Sequence, residues 1–230
     1  MRTALIVGAT GLVGSFLLPL LLRCGRYSRV IALVRSSTGI EHPLLQEVVA
    51  DFRHLNTLAD DLSHPFAVDE VFCCLGTTIK KAGTKQKLRE VDYDYPWTIA
   101  RLCKREGASR FSLVSAIGAD EKSPFYYSRI KGELEHAILA LQFSTVHIFR
   151  PSLLLGDRQD WRFAEWLAGQ LAPVFSPLLL GSLSRFRPVP AKFVAQAMVE
   201  AADGNGQGVQ YYNSQAIVRL ALRGQVKNSE

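Results

Sequence analysis

The chain has 230 residues, 48% of them hydrophobic and 21% charged, with four cysteines and a formal net charge of +6 at pH 7. This balance excludes a disordered chain and a disulfide-built miniprotein, and the length suits one α/β domain with a large core. The basic balance, with a sequence pI near 9.3, suits anionic ligands, whereas a nucleic-acid partner would rest on charge alone and is not expected.

Met1-Arg2-Thr3 passes straight into the apolar run Ala4-Leu5-Ile6-Val7, with no signal-peptide pattern, so a cytoplasmic, reducing location is expected. The run reads as a first strand. Behind it, Gly8-Ala9-Thr10-Gly11-Leu12-Val13-Gly14 forms a glycine-rich turn, and Ser15-Phe16-Leu17-Leu18 opens a helical pattern that stops at Cys24-Gly25. Between a strand and a helix, such a turn is where a dinucleotide's pyrophosphate sits. Glycine lets the backbone approach the phosphates, and the N–H groups and positive dipole end of the helix attract the anion. The spacing is GxxGxxG rather than GxGxxG, so its context carries the reading.

Further β-rich runs follow at Val30 to Val34, Glu47 to Ala50, Val71 to Leu75, Phe111 to Ser115 and Thr145 to Phe149, alternating with helical patterns. Strands apolar on both faces need helices on both sides. The predicted fold is therefore α/β and doubly wound, a Rossmann-like, mostly parallel sheet. The stretch from Trp166 to Leu183 is broken by Gly169, Pro173, Pro177 and Gly181 and is too interrupted to span a membrane. Gly224 to Glu230 reads as a polar, fraying tail, leaving residues 1–223 as a single domain.

At the end of the second strand, an acidic residue would bond the 2′-hydroxyl of NAD, whereas a 2′-phosphate needs positive charge. This chain has Val34-Arg35-Ser36-Ser37 and no acid before Glu41, which favours NADP(H) with Arg35 on the phosphate. Asp51, in Ala50-Asp51-Phe52, is placed either to accept from the adenine amino group or to cap the following turn. The fourth strand ends in Cys73-Cys74-Leu75-Gly76-Thr77-Thr78, where Gly76 would let the cofactor lie against the backbone.

Tyr127 and Lys131 have YxxxK spacing, which puts both on one helix face. An adjacent ammonium stabilises a phenolate, so Lys131 is expected to lower the Tyr127 pKa, by about two pH units or roughly 2.7 kcal/mol, and ready it for proton exchange with a substrate oxygen. Ser115, closing the fifth strand, is expected to hold the substrate carbonyl.

Together these features resemble a short-chain dehydrogenase/reductase of the atypical, extended-like group over roughly residues 2 to 215. Asp51-Phe52, Cys73 to Thr78, Lys131-Gly132-Glu133, Phe149-Arg150-Pro151 and Gly156-Asp157-Arg158-Gln159 resemble the Tat-interactive-protein-like oxidoreductases. The resemblance implies a catalytic Ser115, Tyr127 and Lys131. It also implies pyrophosphate contacts from Gly8, Thr10, Gly11, Leu12 and Val13, the 2′-phosphate on Arg35, and adenine beside Asp51 and Phe52. Leu75, Gly76 and Thr77 would line the ribose, Lys131 would bond the nicotinamide ribose, and Pro151 to Leu154 would border the nicotinamide. Two departures stand out: Ala116 where many members have a second serine, and Asp92 where many have asparagine. A small C-terminal substrate lobe, about residues 151–215, is implied as well.

The remaining signals are weaker. Lys80, Lys81, Lys85, Lys87 and Arg89 form a basic segment that reads as a solvated loop or a seat for an anionic substrate or acidic partner. His42, His54, His64, His136 and His147 lack ligand spacing, so no metal is expected. Apolar positions in Trp97 to Cys103 and Phe125 to Leu141 suit packing on the sheet or a dimer face, leaving monomer or homodimer open. The leading expectation is an NADP(H)-dependent oxidoreductase of a small carbonyl, alcohol or sugar nucleotide, with an epimerase or dehydratase as its variant. The alternative is an NADP(H)-sensing module that binds a protein partner with little or no catalysis.

Overall fold

The computed structural model describes residues 1–60, 65–155, 188–204 and 206–227. Its strands are β1 (Arg2–Val7), β2 (Tyr27–Val34), β3 (Leu45–Val49), β4 (Glu70–Cys73), β5 (Arg110–Val114), β6 (Thr145–Arg150), β7 (Leu154–Leu155), β8 (Val189–Pro190) and β9 (Gly208–Asn213). The helices are α1 (Gly14–Arg23), α2 (Leu55–Leu58), α3 (Ile79–Ala82), α4 (Lys85–Arg89), α5 (Tyr95–Arg105), α6 (Tyr126–Ala140), α7 (Ala191–Asp203) and α8 (Ser214–Lys227).

One sheet runs β3-β2-β1-β4-β5-β6-β9 with every pairing parallel, as the all-apolar runs require. Alternation within each strand feeds two cores. Ala4 and Ile6 of β1 and Val30 and Ala32 of β2 pack with Leu17, Leu18 and Leu21 of α1 and Val194 and Met198 of α7. Leu5, Val7, Ile31 and Leu33 face the other way, onto Ile99 and Cys103 of α5 and Leu134 and Ile138 of α6. Helices cover both faces, and strand order reverses between β1 and β4, which opens a crevice at the C-terminal ends of these two strands.

At the opposite edge the buried Glu70 carboxylate ties four strand starts together. It accepts from Tyr27 Oη at 2.8 Å and Arg2 Nη1 at 3.1 Å, and from Arg110 Nε at 3.3 Å. This cluster is structural, remote from the crevice.

Two boundaries differ from the sequence expectation. Ala191–Asp203 and Gly208–Asn213, expected in the small lobe of the single domain, join its main sheet and helix layer, because α7 packs on α1 and β9 extends the sheet beside β6. Residues 224–227 are helical, since α8 runs through Lys227 with Gly224 buried against Glu200, instead of fraying. The Trp166 to Leu183 stretch, the Gly156 to Gln159 motif and about half of the expected lobe lie outside the described residues. No described helix is long and apolar enough to cross a membrane.

Candidate active site

The glycine turn meets β4 at the mouth of the crevice. Gly8 has φ of 81°, and a Cβ there would lie 2.6 Å from the Cys74 carbonyl oxygen; one on Gly14 would lie 2.0 Å from the Gly8 oxygen. Only glycine allows this closeness. Helix α1 then starts at Gly14 with no side-chain cap and no acid in its first turn. An uncapped helix start without an opposing carboxylate fits a pyrophosphate, and Gly8, Thr10, Gly11, Leu12 and Val13 lie in the turn that leads into it.

Arg35 follows β2, is exposed and makes no ion pair among the described residues, so its guanidinium is free for a 2′-phosphate. The adenine contacts expected nearby are rearranged. Asp51 accepts from the Arg53 N–H at 3.0 Å and from Arg53 Nη2 at 2.6 Å, which holds its carboxyl well below the usual range. It is the cap of the next turn. Phe52 is buried, edge-on to Tyr95 with ring centroids 5.7 Å apart, rather than facing the crevice. Arg53, compensated by Asp51, and Arg35 both act on Tyr95 at this end; the role of Arg53 was unforeseen because it stands among ordinary turn residues.

Around the reacting end the chain gathers Tyr127, Lys131, Asp92 and Gly76. Tyr127 and Lys131 lie one turn apart on α6, the ammonium 5.9 Å from the tyrosine ring centroid. Lys131 is buried and sits 2.8 Å from Asp92 Oδ1, while Asp92 Oδ2 accepts from the Thr77 N–H at 2.9 Å. Asp92 is itself fully buried where the chain winds into a π turn over Glu90–Asp94, a local widening of the helix often found at functional sites. A Cβ on the exposed Gly76 would lie 3.5 Å from Asp92 Oδ1 and 3.6 Å from Lys131 Nζ, so this glycine forms the floor over the pair.

This arrangement corrects the expected electrostatics. Burial raises the Tyr127 pKa; Lys131 opposes that rise, and Asp92 adds to it, leaving the group above its ordinary value. Lys131 is held as an ammonium by Asp92 and Tyr127 against the cost of its burial. The surroundings of Tyr127 thus disfavour its phenolate instead of stabilising it.

Ser115 also differs from expectation. Its hydroxyl donates to buried Glu135, whose carboxylate is gripped in turn by Arg150 with Nε at 3.0 Å from Oε1. A hydroxyl has one proton, so in this arrangement Ser115 offers an incoming group lone pairs only. The Arg150 guanidinium lies 4.7 Å from the Tyr211 ring centroid. Glu135 was legible as the acid four residues beyond Lys131. Pro151 is buried behind β6, and Leu154 lies half-buried in β7, both at the same strand-end edge.

The basic segment forms α3 and α4, with Arg89 paired to Glu133 at 2.8 Å and Lys85 5.4 Å from the Tyr126 ring. The cysteines are free thiols; burial pushes Cys73 up to about 11, which leaves it unreactive. No group of metal-ligating side chains occurs among the described residues.

Over residues 8–148 the sequence matches the family described as NAD(P)H-binding. The chain belongs to this family. Its relatives include Protein HTATIP2 of Rattus norvegicus, 36% identical over 225 residues that cover 95% of this chain and 89% of that one. The mitochondrial Protein FMP52 of Candida glabrata is 32% identical over 227 residues, 95% of each chain. Among solved structures, the Bordetella bronchiseptica enzyme WbmH in complex with NAD+ matches with a TM-score of 0.67 at 20% identity, covering 96% of this chain and 79% of that one. MoeE5 in complex with UDP-glucose and NAD also gives 0.67, at 18% identity, covering 96% and 81%. These two share the fold.

Proposed function

We propose that this chain is an NADP(H)-dependent oxidoreductase that acts on a small carbonyl or alcohol, or on a nucleotide-sugar-like substrate, with Tyr127 as the proton-transferring group. The observation that carries the reading is the cluster of Tyr127, Lys131 and Gly76 at the same sheet edge as the glycine cradle. Preference for NADP(H) is supported by Arg35, which makes no ion pair among the described residues.

A bound dinucleotide supplies or accepts a hydride at its nicotinamide ring. Gly8, Thr10, Gly11, Leu12 and Val13 hold the pyrophosphate, while the backbone of Leu75, Gly76 and Thr77 edges the ribose. Pro151 and Leu154 border the nicotinamide. Tyr127 gives its phenolic proton to the substrate oxygen during reduction and takes one back during oxidation. Ser115 accepts a hydrogen bond from a substrate donor, its own proton being committed to Glu135.

A panel of aldehydes, ketones and nucleotide sugars incubated with purified protein and NADPH tests the reading. Consumption of NADPH with at least one member supports an oxidoreductase, and product formed without net consumption supports the epimerase or dehydratase variant. Tight NADPH binding with no turnover of any member would favour the sensing module.

A further inference from the structure

We infer that Asp92 is a positioning residue that neutralises Lys131 and so keeps Tyr127 protonated, committing the site to proton donation. The inference rests on the oxidoreductase reading for its consequence, though its geometry stands alone. Two features build the contact: the π turn that carries Asp92 inward and the Thr77 N–H that fixes one carboxylate oxygen.

An asparagine in the same place would accept from Thr77 equally well but leave the ammonium uncompensated beside the phenol. The uncompensated charge would pull on the nearest ionisable oxygen, which is Tyr127. With aspartate present 2.8 Å from the ammonium, Asp92 offsets part of the pull of Lys131, and burial outweighs what remains of it at the phenol. The charged or titratable groups facing this point are Asp92 from the π turn, Tyr127 and Lys131 from α6, and the buried Cys73 thiol of β4. None of the others supplies a cation.

The chemical consequence is directional. As a carbonyl carbon gains the hydride and its electron pair from reduced nicotinamide, the carbonyl oxygen takes the Tyr127 proton. The Tyr127 O–H bond breaks as the new O–H bond forms. The phenolate then regains a proton from solvent once product has left. A site held in the phenol form starts this cycle without first acquiring a proton, whereas alcohol oxidation must begin by ionising Tyr127 against its surroundings.

Ultraviolet difference titration of the intact chain reads the phenol directly, with Tyr127→Phe variants subtracting the signal of the other tyrosines. In the native protein Tyr127 is expected to stay protonated until alkaline unfolding. In Asp92→Asn it should ionise at least tenfold more readily, and Asp92→Asn/Lys131→Met should restore the native behaviour. A folded Asp92→Asn protein whose Tyr127 ionises no earlier than native would overturn the assignment. Should that variant not fold, 3-fluorotyrosine placed at position 127 of otherwise native protein gives the answer by fluorine NMR. Ionisation only at higher pH than in free 3-fluorotyrosine supports the role, and ionisation at or below that pH removes it. Neither readout involves turnover, so both separate this role from the proposed activity.

Discussion

Lys131 Nζ lies 2.8 Å from Asp92 Oδ1 with both side chains almost wholly out of water, 3% and 0% exposed. A buried pair of this kind costs desolvation on both sides, and removing one partner strands the other. Lys131→Met should therefore destabilise the fold by about 3–5 kcal/mol. Asp92→Asn/Lys131→Met should lose less than Lys131→Met alone, because the stranded charge is gone. Urea unfolding of the native, single and double variants measures both differences; additive losses would mean that the two side chains do not interact.

Gly8→Ala puts a Cβ 2.6 Å from the Cys74 oxygen at a φ of 81°. The backbone strain alone is worth about 1–3 kcal/mol. NADPH affinity should fall beyond that loss, because the cradle itself must shift, and fluorescence titration of NADPH alongside thermal unfolding separates the two effects.

Arg35 makes no ion pair, so its removal should leave stability unchanged. Loss of a charge-assisted bond of about 1.5–3 kcal/mol corresponds to roughly ten- to hundred-fold weaker NADPH binding in Arg35→Ala. NADH affinity should be untouched. Equal loss for both cofactors would place Arg35 elsewhere than on the 2′-phosphate.

His147 is buried on β6, with Nδ1 3.1 Å from Tyr212 Oη and Nε2 lacking a hydrogen-bond partner among the described residues. Burial and nearby Arg110 push its pKa from 6.5 down to about 4. The folded chain holds it neutral while the unfolded chain takes up a proton. Stability present above pH 6.5 is thus lost as pH falls from about 6.5 to about 4, by on the order of 3 kcal/mol. Chemical unfolding at stepped pH should show this slope, reduced in His147→Gln.

The central sheet was legible because β1 and β2 are apolar on both faces and the glycine turn marks the first crossover. The seventh strand was not. Gly208–Asn213 lies at the sheet edge with Val209 and Tyr211 exposed, so it lacks the unbroken apolar run of a central strand. In the site, YxxxK spacing located Tyr127 and Lys131 because helical periodicity fixes neighbours along one element. The partners that set their charge come from elsewhere in the chain. Asp92 sits in the polar run Glu90-Val91-Asp92-Tyr93-Asp94, which reads as surface, and only the π turn brings it inside. The one-proton limit on Ser115 likewise needs Glu135 and Arg150 brought together in space.

The central claim is that Tyr127 supplies the proton for a reduction driven by NADPH. Its most direct measurement compares native protein with Tyr127→Phe, both first shown to bind NADPH with the same affinity, on a carbonyl substrate that the native protein turns over. Loss of a general acid should cut kcat by about 10²–10⁴-fold in the variant; undiminished NADPH consumption by Tyr127→Phe would contradict the account.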